Sequence, residues 1–346
     1  MTDLAAPPAT SARLTLGQVR AAFSPDCYRR STPRALAALA LDLALFVTAV
    51  WAAIAVSNPV LTLLFGVAAG TATAFLFVWG HDAAHGALFR SERVAEVLGT
   101  IAMLPSLNMY RLWIFGHNKV HHGFTSLSTI DWIWRPLTID EYRARSAWGR
   151  FVYRLERHPV TCGLHYLLRV WWPGMVRFRP DPRAKRVRGA RLSKAISAAY
   201  ALAVGALAWW LGGPLAAFAV VVVPFAVFTW YIAFFIYLHH THPDVAFYDD
   251  RREWSAVDGQ LRSSITIRCS WLWERLTHNI LVHTPHHVDT RIPFYRLRQA
   301  ASDLAARFGD EITTYRFRWS TVRRIFATCQ LYDFDEHRWH RFADAA

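Results

Sequence analysis

Four long apolar stretches constrain the fold of this chain more than any other feature. Residues 35–56 carry one charge, Asp42, and residues 60–79, 195–211 and 215–238 carry none. An α-helix rises ~1.5 Å per residue, so about 20 apolar residues match the hydrocarbon core of a bilayer. The stretches pair across Ser57-Asn58-Pro59 and Gly212-Gly213-Pro214, short uncharged links made of turn-forming residues. This pattern predicts an all-α integral membrane protein with four transmembrane helices in two hairpins. A content of 53% hydrophobic and 18% charged residues over 346 positions agrees with that class.

Charge then sets the orientation. Between residues 141 and 194 there are fourteen Lys or Arg against three acids, Glu141, Glu156 and Asp181. Basic segments stay in the cytoplasm, so the two turns are expected to face away from it. Both termini then lie inside, in an inner (cytoplasmic) membrane. Much of the formal charge of +14 lies in segments flanking the spans, and membrane lipids rather than nucleic acid are the expected contacts. Cys27, Cys162, Cys269 and Cys329 form no CxxC pair, which leaves neither a disulfide framework nor a zinc ribbon. Residues 1–16 are polar and lack an apolar core behind a basic start, so no secretory signal is expected.

Residues 98–115 are apolar but interrupted by Pro105, Asn108 and Arg111, which suggests an interfacial or re-entrant helix rather than a fifth crossing. Asp42 admits two readings, a functional ionisable residue within the membrane or a side chain reaching the interface. From Trp254 onward the chain has the composition of a soluble cap with mixed helices. The expected organisation is a cytoplasmic segment at 1–34, one domain at 35–335 and a tail at 336–346.

Histidines mark the function. Half of the 16 fall in three clusters: His81 and His85; His117, His121 and His122; His283, His286 and His287. A spacing of three or four residues puts two rings on one helix face. An even number of expected crossings separates the clusters, so all three share the cytoplasmic side and can converge. Eight imidazoles exceed what one zinc ion uses and suit two metal ions such as iron, whose chemistry at a membrane points to oxygen activation. A ninth ligand could come from His239, His240 or His242 at the end of the fourth stretch. Asp82, Asp131 and His278 are placed as outer partners that hold imidazole N–H groups. No glutamate stands at the Glu-x-x-His spacing of a carboxylate-bridged di-iron bundle.

With these residues in view, the chain resembles the membrane fatty acid desaturases, most closely the acyl-lipid omega-6 (delta-12) type of bacteria and plastids. The resemblance covers roughly residues 30–335. It rests on GHDAAHG at 80–86, HNKVHHGFTSLSTIDWIW at 117–134, LHHTHPD at 238–244 and, most specifically, HNILVHTPHHVDTRIPFYRL at 278–297. It implies eight di-iron ligands, His81, His85, His117, His121, His122, His283, His286 and His287, with His240 as the ninth. It further implies that O2 and two electrons are used to insert a cis double bond into an acyl-lipid or fatty-acyl substrate, at delta-12 of an existing monoene. The electron donor in such systems is a ferredoxin or a cytochrome b5, and no His-Pro-Gly-Gly motif of a fused cytochrome b5 occurs here. One departure stands out: three residues separate His117 from His121, where many desaturases have two. Membrane alkane hydroxylases share the longer spacing.

A hydroxylase or ketolase acting on an acyl chain, alkane or carotenoid is therefore the alternative enzyme. A metal transporter or sensor is the non-enzyme alternative, disfavoured because transporters place their ligands near the bilayer midplane. Phe75, Trp79, Phe234 and Phe235, near the ends of the second and fourth stretches, are expected to line a substrate tunnel. Donor docking is expected on the basic surface at 177–194, including Arg183, Lys185, Arg186 and Arg188.

Overall fold

A computed structural model describes residues 14–179 and 189–345. Helices α1 (Thr32–Ala55) and α2 (Pro59–Ala84) form on the first two apolar stretches. Asn58 starts α2 by accepting hydrogen bonds from the N–H groups of Val60 and Leu61, and Pro59 occupies a first-turn position that needs no donor. The helix runs past residue 79 and so carries His81 in its last turn. α3 (Glu92–Met103) packs back on α2. A short 3-10 turn, Leu104–Ser106, and left-handed Leu107 (φ 53°) then break the 98–115 stretch. The chain resumes as Tyr110–Ile114 and widens into a π-helix, Phe115–His121. No single helix of crossing length forms there.

α4 (Ala190–His240) contains 51 residues and one non-helical position, Gly213, at φ 79° and ψ −173°. Pro214 disfavours helical backbone at the residue before it, and glycine accepts the left-handed φ freely. A straight helix would hold Gly205 and Val221 about 24 Å apart. Instead, a Cβ placed on Gly205 would lie 3.5 Å from Val221 Cγ2. The two halves therefore pack on each other, with Ala208, Ala219 and Val220 sharing one apolar cluster with Ala53 of α1. α1, α2 and α4 are the three helices long and apolar enough to cross a membrane among the described residues. α2 is the most buried of them and contacts the other two, with Phe77 against Phe228 of α4 at 4.9 Å.

Beyond α4 the cap is not purely helical. β1 (Ile265–Arg268) leads to α5 (His283–Val288) and α6 (Leu297–Phe308). β2 (Thr313–Arg316) then pairs in parallel with β1, Ile265 opposite Thr313. After α7 (Trp319–Thr328), β3 (Leu331–Asp333) pairs antiparallel with β4 (Arg338–His340). The protein is thus mostly helical, and the strands are a departure from the expected all-α class. The segment expected as a tail contributes β4 and stacks Phe342 on Tyr142. Near the other end Val19 and Cys27 are fully buried, and Arg20 donates to the Val288 carbonyl that ends α5.

Candidate metal centre

The three histidine clusters lie at the C-terminal end of α2 and its cap, at the end of the π-helix and its cap, and on α5. Their rings are not shared out cluster by cluster. His81, His85, His117, His122 and His286 form one group, and His121, His240 and His287 a second. Within each group the ligand atoms all lie within 4.8 Å of one another. His283 adjoins the second group, its Nε2 3.3 Å from His240 Nε2.

The π-helix explains the division of the second cluster. In an α-helix His117 and His121 would share a face. The i→i+5 bonding of a π-turn instead brings together residues five apart. His117 and His122 accordingly approach to 3.0 Å between Nε2 atoms, and His121 turns to the other group. On α5, consecutive His286 and His287 point apart and feed one group each.

Outer contacts fix the rings. Asp82 Oδ1 lies 3.0 Å from His81 Nδ1, and Asp131 Oδ2 lies 2.9 Å from His121 Nδ1. The Ser263 carbonyl accepts from His240 Nδ1 at 2.9 Å. Gln260 Oε1 accepts from His287 Nδ1 at 2.9 Å, and its amide donates to the His122 carbonyl. A ring nitrogen that donates to a carbonyl or carboxylate leaves its other nitrogen as a lone pair, the form that binds metal. His278, expected to support the ligands directly, instead bonds Asp42 at 2.6 Å. Gln260 and Ser263 escape sequence reasoning, since neither belongs to a recognisable motif. Neighbouring Gly259 is the one available signal: a Cβ there would stand 2.7 Å from the Thr125 carbonyl, so close approach of the short π-helix Asp258–Arg262 to the second cluster demands glycine.

The donor set fits metal ions. His85 Nε2, His122 Nδ1, His287 Nε2 and both nitrogens of His286 are buried without a hydrogen-bond partner, a costly state for polar atoms unless a cation completes them. Burial, reinforced by neighbouring imidazoles, holds His85, His117, His122, His283 and His287 well below the ordinary histidine range and lowers His286 to about 3. All six are therefore neutral near pH 7 and offer lone pairs.

A cavity of about 260 Å³ meets the histidines, with His81, His117, His121, His239 and His283 in its wall. The rest of the lining is largely apolar and aromatic and includes Phe75 and Phe235. Trp79 and Phe234 do not line it. The buried indole N–H of Trp79 needs an acceptor and finds the Ala35 carbonyl of α1 at 2.8 Å, which turns the ring away. Phe234 faces Trp230 and Phe326, on which it stacks. At the end of α4 only His240 enters a metal group. His239 stacks on His283 at 3.9 Å with both nitrogens unpartnered, and His242 pairs with Asp244.

Comparison with known proteins places this geometry. The profile of the family described as "Fatty acid desaturase" matches residues 57–319, about three quarters of the chain, including all eight histidines of the two groups and His283. The chain belongs to the fatty acid desaturase family. It is 31% identical over 277 residues to an omega-6 fatty acid desaturase of the chloroplast from Glycine max, covering 76% of this chain and 61% of that protein. It is 29% identical to the sn-1 oleoyl-lipid 12-desaturase of Synechocystis sp., covering 79% of this chain and 76% of that protein. The corresponding protein of Anabaena variabilis is 28% identical over 333 residues, 90% of this chain and 87% of its own length. The chain thus spans about 60% of the length of the plastid relatives it matches. Of the basic surface expected to dock a donor, Arg183, Lys185, Arg186 and Arg188 lie outside the described residues. Lys194 is engaged, donating to the Val176 and Phe178 carbonyls.

Proposed function

We propose that this protein is an acyl-lipid desaturase that introduces a cis double bond at the delta-12 position of a monounsaturated acyl chain. The observation that carries this is the meeting of two buried imidazole groups with an apolar, aromatic-lined cavity. Imidazole-rich ligation with open positions suits iron. His81, His85, His117, His122 and His286 would hold one ion, and His121, His240, His287 and His283 the other. Bound iron supplies the activation of O2 and the removal of hydrogen from an unactivated C–H bond. The chain supplies the rest. Asp82, Asp131, Ser263 and Gln260 orient the ligands, and the cavity takes an apolar chain out of water so that side reactions are suppressed. Phe75 and Phe235 would lie against that chain.

The names of the cyanobacterial relatives, oleoyl-lipid 12-desaturases, support a lipid-linked monoene as substrate. We further propose that the bend at Gly213 divides α4 into two crossings, giving four in two hairpins, with the metal groups and both termini on the cytoplasmic side. Electrons would come from a separate small carrier of ferredoxin or cytochrome b5 type. The test is lipid analysis of cells whose membranes contain only monoenes, with and without the expressed protein. A diene with its new double bond at delta-12 is expected. A hydroxylated acyl chain would point to the hydroxylase alternative, and unchanged lipids despite iron-loaded protein would overturn the proposal.

A further inference from the structure

One carboxylate inside a membrane-spanning helix has no part in the chemistry above. Asp42 lies in α1 and is only 1% exposed. An ionisable group at such a position is costly and marks a function by default. Its one partner among the described residues is His278, whose Nε2 stands 2.6 Å from Asp42 Oδ2. His278 and Asn279 are consecutive residues in left-handed conformation, φ 50° and 52°. Such backbone is uncommon outside glycine and gathers where geometry serves a site.

A short chain of contacts joins this pair to a metal-group histidine. His278 packs on the ring of Phe294, with centroids 4.7 Å apart. The Phe294 carbonyl accepts from Asn279 Nδ2 at 3.2 Å, and its N–H donates to Asp82 Oδ2 at 2.8 Å. The other oxygen of Asp82 holds His81 Nδ1. Phe294 is thus clamped at its ring, its carbonyl and its N–H, and that clamp fixes the plane of the Asp82 carboxylate.

An apolar pair of the same size would fasten α1 to the cap at least as well. A bond of fixed direction adds orientation. We propose that Asp42 and His278 are positioning residues which, through Phe294 and Asp82, aim the free nitrogen of His81 into the first histidine group. The proposal rests on that group holding a metal. It makes α1, which contributes no histidine, part of the support of the site.

The test uses purified full-length protein loaded with iron, following melting temperature, absorption spectrum and release of iron to a chelator. Asp42→Leu removes the bond at similar volume. It is expected to release the first of the two ions roughly 10–100-fold faster than wild type, with an altered spectrum. Asp42→Asn still offers an oxygen to the His278 N–H and should keep wild-type release and spectrum. His278→Asn suits the left-handed backbone and should reproduce Asp42→Leu, so it carries the test if that variant does not fold. If both disrupting variants melt earlier yet hold iron with the wild-type rate and spectrum, the pair serves packing alone and the proposal falls. Wild-type protein that takes up no metal would instead remove the metal-centre reading, and this proposal with it.

Discussion

The two histidine groups are built differently. In the second, His121, His240 and His287 are each tethered through Nδ1, to a carboxylate, a backbone carbonyl and a side-chain amide in turn. All three rings are buried. The first group has more rings and fewer tethers. Only His81 is held by such a partner, while His85 and His122 are partly exposed, and His286 has neither nitrogen bonded. Outer-shell contacts set both ring direction and ligand basicity. The second group is therefore a fixed cage, and the first is a looser set, nearer the surface, that a bound metal would complete.

The largest expected effect touches both groups equally. His121→Ala and His286→Ala each delete one ligand, from the second and the first group respectively, and each should bring turnover below detection while the protein still inserts and folds. Metal analysis should show fewer irons than the two expected of wild type. Wild-type product levels from His286→Ala would remove it from the ligand set.

Chelation should separate the groups. Iron is expected to leave in two phases, the faster from the first group, and the slow-phase protein should keep the spectrum of a buried, nitrogen-rich site. Release in a single phase would mean that the tethers do not set retention. Smaller and more selective effects should follow from the tethers themselves. Asp131→Ala or Gln260→Leu should speed the slow phase roughly 10–100-fold and leave the fast one nearly unchanged, with Asp82→Ala doing the reverse. Acceleration of the wrong phase would break the assignment of rings to groups.

Part of this difference is legible in the sequence. The histidines announce themselves by number and spacing, and the apolar stretches and the glycine before Pro214 mark where helices form and bend. The assignment of rings to groups is not legible, because it depends on a π-turn at Phe115–His121 that α-helical spacing cannot reveal. The same turn sets His122, rather than His121, against His117. Gln260 lies in a separate short π-helix, Asp258–Arg262, that Ser263 caps, and nothing local distinguishes a glutamine that supports a metal-group histidine from one at the surface. Asp42 stands out as a charge in a span, but its partner is 236 residues away.

The cavity wall shows the same limit and yields the smallest prediction. α2 and the second half of α4 are apolar on every face, so periodicity does not tell which aromatic side chain faces substrate and which faces protein. Phe234 and Phe235 are neighbours on α4, yet only Phe235 lines the cavity, while Phe234 packs on Trp230 and Phe326. Phe235→Leu should therefore change how an acyl chain is held, shifting KM or the position of the new double bond. Contacts of this size are worth about 1–3 kcal/mol in a hydrophobic pocket. Phe234→Leu leaves a small cavity in the protein interior and should lower stability, with product position unchanged. Product analysis and melting curves of the two variants check this. If the Phe234 variant moves the double bond and the Phe235 variant only lowers the melting temperature, the cavity described here is not the one that holds substrate.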